Sequence, residues 1–210
     1  MKYKVMIVED QTMPRELFEL RVQASERFEL TLSIDNAALA DVYCLRFPVD
    51  LILMDVITRD GENGLDAAAR IKRAFPQIKI IIVTSMPECS YLKRAKEIGV
   101  ESFWYKEEHR ESLLDVMERT MNGESVYPGA SPELTLGMAS SYQFTERELD
   151  ILREITSGDT NQEIADRLNM SVATVKTHIL NMLEKTGFRN RTELAVRARE
   201  SGLVILNRRN

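Results

Sequence analysis

Five short runs rich in Val and Ile divide the first part of the chain: Tyr3–Val8, Phe28–Ile34, Leu51–Met54, Ile78–Val83 and Glu101–Trp104. Stretches of helical spacing follow them, at roughly 14–26, 36–46, 64–75, 88–98 and 109–121. The third and fourth runs, LILM and IKIIIV, are continuously apolar, as central strands covered on both faces must be. Repeated strand-then-helix units demand right-handed crossovers and a mostly parallel sheet between two helical layers. That alternation excludes an all-β or an all-α fold for this region.

It stops before the chain does. From Thr145 onward only helical patterns occur, broken at Gly158, at Asn169-Met170-Ser171 and at Gly187. The stretch NGESVYPGASPELTLGMASSYQ (122–143) collects Gly, Pro and Ser without a sustained period and reads as a linker. Three parts follow: an α/β domain over 1–122, a linker over 123–143 and a small all-α domain over 144–210. Charge divides in the same way, with a formal −6 over residues 1–142 and +1 over 143–210. Cys44 and Cys89 stand alone, outside any CxxC or Cys/His cluster, so neither a disulfide framework nor a zinc site is expected. The opening MKYKVMIVEDQ reaches acidic residues too soon for a signal peptide, and no apolar run approaches the ~20 residues of a spanning helix. A cytoplasmic protein with no membrane partner is the expectation.

In an open parallel sheet, functional groups gather past the carboxyl ends of the strands. Those positions hold Glu9 and Asp10 after the first run, Asp55 after the third, Thr84 after the fourth and Lys106 after the fifth. Crowded carboxylates call for a hard divalent cation such as Mg2+, and a nearby lysine neutralises more of the charge. The set suits a phosphoryl group arriving on one carboxylate. Singly, each residue has an ordinary explanation as a loop charge, a cap or a turn. Jointly, at successive strand ends, they describe one pocket.

On these residues, positions 1–122 resemble the receiver domain of response regulators. The resemblance implies a flavodoxin-like, doubly wound five-stranded sheet of order 2-1-3-4-5. It makes Asp55 the phosphoacceptor and gives Mg2+ to Glu9, Asp10, Asp55 and the main-chain carbonyl of Ile57. Thr84 would follow the phosphoryl group and Lys106 would pair with it, while Phe103 would be the aromatic switch that turns inward on activation. There is one departure. Receiver domains usually follow the acceptor with a Met-Pro pair and a Gly eight residues on. Here the run is DVITRDGENGLD, with no Met-Pro and with Gly64 nine residues after Asp55. The loop is expected to be one residue longer, with an extra turn at Gly61 and with Arg59 and Asp60 within reach of the pocket. Altered phosphoryl lifetime or metal affinity is expected, not loss of the chemistry. Glu107 stands after the lysine where proline is common, which removes an expected cis peptide.

In the tail, Thr145-Glu146-Arg147-Glu148 has capping-box spacing, with Thr145 as N-cap and Glu148 three residues on. A second helix over Thr160–Leu168, a short turn and a third helix capped by Ser171 give two helices joined by a tight turn. At about 100° per residue, Val172, Val175, Ile179, Met182 and Leu183 of the third helix share one arc. Ala173, Thr174, Thr177, Leu180, Asn181 and Glu184 share the opposite one, with Lys176 on its flank, a small polar face suited to a major groove. Lys176, Lys185, Arg189 and Arg191 against Glu184 give residues 172–191 a local +3.

The segment about 144–200 closely resembles the LuxR-type helix-turn-helix through Glu163-Ile164-Ala165, Thr174-Val175-Lys176-x-His178 and Arg191-Thr192. The resemblance implies that Lys176, Thr177 and Leu180 approach base edges. Thr160, Ser171, Thr174, Arg189 and Arg191 would contact phosphates, and the helix around 191–201 would supply dimer contacts. Base preference does not transfer, since some relatives carry a basic residue where this chain has Leu180. Together the halves resemble a two-component response regulator of the NarL/FixJ type. Its expected partners are a sensor histidine kinase, promoter DNA with paired half-sites and a second copy of the chain when active. Chemistry would be limited to gain and loss of the phosphoryl group, and neither His109 nor His178 sits in a relay pattern. Two other readings stay open: a DNA-binding regulator that does not depend on phosphorylation, and a tail that docks a protein. An FMN protein fits poorly, because EDQTMP lacks a Ser/Thr/Gly-rich phosphate loop.

Overall fold

The computed structural model describes residues 2–59, 63–85, 89–106, 112–129 and 133–204. They form two compact units, one of Met1–Ser85 with Tyr91–Ala130 and one that contains Ser131–Asn210.

The first unit holds five parallel strands in the order β2-β1-β3-β4-β5. Strands β1 (Tyr3–Val8), β2 (Phe28–Ile34) and β3 (Leu51–Met54) lie where the apolar runs place them. β4 (Lys79–Thr84) and β5 (Ser102–Tyr105) sit one residue later than the runs, because Thr84 and Tyr105 still pair across the ladder. All four residues of β3 and all but the first of β4 are buried, as two-sided cover requires. Alternation sends Val5, Ile7, Leu51, Leu53, Ile81, Val83 and Trp104 to one face. There they meet Phe18 and Val22 of α1 (Thr12–Gln23) and Leu113, Val116 and Met117 of α5 (Leu113–Met121). α2 (Ala40–Arg46), α3 (Gly64–Ala74) and α4 (Cys89–Ile98) are the other α-helices among the described residues of this unit, and Leu65, Ala68 and Ile71 of α3 are buried. Asp60, Gly61, Glu107 and His109, singled out in the sequence, lie outside the described residues.

The second unit is helical: α6 (Glu146–Thr156), α7 (Asn161–Arg167), α8 (Val172–Thr186) and α9 (Arg191–Glu200). Thr145 and Glu148 form the expected capping box, and Thr160 with Glu163 forms a second at the start of α7. Gly187 closes α8 in the left-handed conformation that glycine tolerates best. Leu149, Leu152, Ile164, Val175, Met182 and Leu194 centre the core.

The stretch 123–143 carries more structure than its composition signals. Val126 and Tyr127 lie along β5, with the Phe103 N–H donating to the Val126 carbonyl at 2.8 Å and the Tyr127 hydroxyl to the Val100 carbonyl at 2.7 Å. Residues 135–140 form a small hairpin, β6 (Thr135–Leu136) with β7 (Ala139–Ser140), whose Leu136 and Ala139 join the core of the second unit.

Candidate functional site

β1, β3, β4 and β5 end side by side, and their exits bring the acidic residues together. Glu9 is fully buried, Asp55 is 4% exposed and Asp10 is half-buried at the rim. One oxygen from each lies within 4.8 Å of the others. The Lys106 Nζ donates to Glu9 Oε2 at 2.5 Å and to Asp55 Oδ2 at 2.9 Å. The other Asp55 oxygen, Oδ1, accepts from the Val56 N–H at 2.7 Å, which fixes the carboxylate plane. Lys106 is itself placed by β-pairing, since its N–H donates to the Thr84 carbonyl at 2.9 Å.

The electrostatics follow from burial. Loss of water lifts the Glu9 carboxyl to about 7, the Asp55 charge pushes the same way, and Lys106 pulls against both. Burial also raises Asp55 above the ordinary carboxylate range, with Lys106 opposing it. Burial works to lower Lys106, but the facing Asp55 and Glu9 carboxylates outweigh it and raise it. One lysine therefore faces a pocket with a surplus of negative charge. All the side-chain donors are hard oxygens, one of them open to solvent, a set that fits a small divalent cation.

Thr84 is buried at the end of β4 on the same strand edge. Phe103 is also buried, with its ring 5.0 Å from Tyr105 and 6.3 Å from Tyr127. Ile57 stands two residues past Asp55 and bridges to Asn63. That bridge sets the start of α3 close behind the acceptor. Gly64 explains its own identity there, because a Cβ would fall 1.9 Å from the Asp55 carbonyl oxygen. Arg59 does not turn to the carboxylates as expected. Its guanidinium pairs with Asp35 at 2.6 Å.

In the second unit, Ala173, Thr174, Lys176, Thr177, Leu180, Asn181 and Glu184 are all exposed, with Leu180 at 65%. Val175, Ile179 and Met182 are buried behind them. Thr160 and Ser171 are N-caps of α7 and α8, accepting from the N–H groups of Glu163 and Thr174 at 3.3 and 3.0 Å. Arg189 is exposed. Two members of the basic set are committed inside the fold. The Lys185 Nζ contacts both Glu148 oxygens at 2.8 and 2.7 Å. Arg191 donates to the Asn161 side chain at 2.6 Å and to the Asp159 carbonyl.

Residues 5–118 match the response regulator receiver domain family, and residues 142–198 match the bacterial regulatory proteins of the luxR family. "Response regulator protein VraR" of Staphylococcus epidermidis is 33% identical over 97% of this chain and 100% of its own length. The protein of the same name from Staphylococcus aureus is 32% identical over the same shares. This chain is a two-component response regulator with a LuxR-type DNA-binding domain. Its fold is also that of solved structures at lower identity. RcsB from Salmonella enterica serovar Typhimurium, bound to promoter rprA with phosphomimetic BeF3-, aligns at TM-score 0.60 with 17% identity over 94% of this chain and 98% of that one. The response regulator ChrA of a heme-sensing two-component system aligns at 0.52 with 21% identity over 97% and 99%.

Three features of this regulator escape sequence reasoning. The Lys185–Glu148 pair joins residues 37 apart in sequence, so charge counting along α8 misses it. Arg191 is engaged by a main-chain carbonyl, which no residue pattern marks. Tyr127 packs on Phe103 from within a stretch whose Gly and Pro content reads as linker. No helix among the described residues is long and apolar enough to cross a membrane.

Proposed function

We propose that Asp55 accepts a phosphoryl group from a sensor histidine kinase or a small acyl phosphate, and that this controls DNA binding by the helical domain. The observation that carries the reading is the convergence of Glu9, Asp10, Asp55 and Lys106 at the carboxyl edge of a receiver fold. Residues 1–122 receive the signal, 123–143 pass it on and 144–210 read DNA. Glu9, Asp10, Asp55 and the Ile57 carbonyl would hold Mg2+, which would neutralise phosphoryl oxygens during transfer. The protein's own groups do the rest. The Asp55 carboxylate, oriented by the Val56 N–H, attacks phosphorus while the bond to the donor's leaving group breaks. Lys106, already within bonding distance of Asp55, pairs with the added oxygens, and the Thr84 hydroxyl donates to them.

A phosphoryl group adds a charge of roughly −1.5 to −2. It draws Lys106 away from Glu9 and Thr84 toward Asp55, and both residues belong to the β4–β5 edge. Phe103 lies on that edge beneath Tyr127, so the change reaches the helix four–strand five surface and the segment leading to the DNA-binding domain. The active form is a homodimer that reads paired half-sites of promoter DNA. Lys176, Thr177 and Leu180 face base edges from α8. Thr160, Ser171, Thr174 and Arg189 hold phosphates, while Arg191 supports the turn before α7.

Enrichment of a random duplex library tests both halves together. Protein treated with acetyl phosphate and Mg2+ is expected to enrich one motif of paired half-sites, and Asp55→Asn under the same treatment to enrich it weakly. Equal enrichment by both would favour a regulator independent of phosphorylation, and no motif would remove the DNA reading.

A further inference from the structure

The run after Asp55 lacks the Met-Pro pair usual in receiver domains, and the structure places specific contacts at Thr58 and Arg59. Thr58 is 2% exposed, and its Oγ1 accepts from the Ala37 N–H at 2.9 Å. The Arg59 N–H donates to the Asp35 carbonyl at 3.1 Å, a bond that proline at this position could not make. The Arg59 guanidinium adds its ion pair to the Asp35 carboxylate. These contacts fasten the loop after β3 to the connector after β2. That connector is anchored in turn, because Arg70 of α3 donates to the Ala38 carbonyl at 2.9 Å.

Ile57 is held from the other side as well. It bridges to Asn63, whose side chain caps α3 by accepting from the Leu65 N–H at 2.8 Å, and the Gly64 N–H donates to the Val56 carbonyl at 2.8 Å. The connector beyond Thr58 and Arg59 begins beside the pocket itself, since the Glu9 N–H donates to the Ile34 carbonyl at 2.9 Å. A set of contacts therefore runs from Glu9 to Ile34, and from the neighbouring Asp35 and Ala37 to Arg59 and Thr58, which follow Ile57 in the chain.

Resting on the pocket reading above, we propose that Thr58 and Arg59 are positioning residues for the cation site. The Thr58 hydroxyl and the Arg59 main-chain N–H fix the Ile57 carbonyl relative to Glu9, and so set divalent-cation affinity before any phosphoryl group arrives. The exposed Arg59 guanidinium adds little, because surface ion pairs are weak.

The test is a Mn2+ titration of the full chain, followed by the spin-resonance signal of the free ion. Groups that orient metal ligands typically set affinity by about 10- to 100-fold, and the Ile57 carbonyl is one ligand among several, so the low end applies. Thr58→Val is expected to weaken Mn2+ binding about 10-fold. Thr58→Ser, which keeps the hydroxyl, and Arg59→Ala, which keeps the N–H, stay within about twofold of wild type. Arg59→Pro weakens binding severalfold. In parallel, the Mg2+ concentration that half-saturates phosphorylation by acetyl phosphate rises in Thr58→Val and Arg59→Pro, while the rate at saturating Mg2+ changes little. A purely structural role for Thr58 lowers the thermal midpoint and leaves Mn2+ affinity unchanged well below it, and that result overturns the proposal. Should Thr58→Val not fold, Arg59→Pro against Arg59→Ala decides, with equal affinities overturning it. A wild type that binds no Mn2+ sinks the pocket reading itself, whereas binding indifferent to both residues sinks this inference alone.

Discussion

Gly64→Ala offers a sharp test of how the first unit is built around Asp55. The added Cβ would lie 1.9 Å from the Asp55 carbonyl oxygen and 2.9 Å from Met54 Cγ, whereas ordinary contact begins at 3.4 Å. Relief requires a shift on the order of 1.5 Å between two stretches of main chain. Neither is free to give. The Asp55 N–H is bonded to the Val8 carbonyl at 2.9 Å, and the Gly64 N–H to Val56 at 2.8 Å. Overpacking costs about 1–3 kcal/mol, with rigid surroundings at the upper end. The better helix propensity of alanine returns at most about 1 kcal/mol in a helix interior and less at a first residue. A net loss of about 2 kcal/mol follows, and with a urea slope near 1.5–2 kcal/mol/M the midpoint falls by about 1 M. Trp104 is the sole tryptophan and lies in β5, so its fluorescence follows this unit alone. The same shift displaces the acceptor, and a misplacement of ~1 Å slows transfer by up to ~100-fold. An unchanged midpoint together with unchanged phosphorylation would refute the reasoning.

Two further outcomes follow from the second unit. Removing a phosphate contact lowers the slope of log affinity against log salt by about 1, so Arg189→Ala flattens it, whereas Arg191→Ala weakens DNA binding with the slope nearly kept. Equal loss of slope in both would return Arg191 to the phosphates. Burial pushes Glu148 upward, but Lys185 and the Thr145 donors outweigh it and hold the carboxyl below its usual range. That stabilisation is complete above an unfolded carboxylate's pKa and disappears as pH falls through the lowered value. Removing one partner of a buried pair costs roughly 3–5 kcal/mol, and because Lys185 is a third exposed the loss in Lys185→Met is about 2 kcal/mol at pH 7. Calorimetry of the second unit's transition reads it, and the gap from wild type should close toward acid pH. A constant gap would place Lys185 elsewhere in the energetics.

The sequence carries the first unit because its signals are local. Apolar runs such as LILM locate the strands, and strand ends locate Glu9, Asp10, Asp55, Thr84 and Lys106 without side-chain detail. The helical arc of α8 is equally legible, since the buried Val175, Ile179 and Met182 repeat at helical spacing. What the sequence hides depends on distance along the chain. Lys185 looks like a free cation until Glu148 arrives from α6, and Arg59 looks aimed at the pocket until Asp35 claims it. The hairpin at 135–140 escapes because two-residue strands leave no period to read.

The central claim is that Asp55 takes a phosphoryl group in the pocket it shares with Glu9, Asp10 and Lys106. Intact mass after incubation with acetyl phosphate and Mg2+ addresses it most directly, with wild type beside Asp55→Asn. One added phosphoryl group is expected on wild type and none on the variant. Addition to both, or to neither, would contradict it.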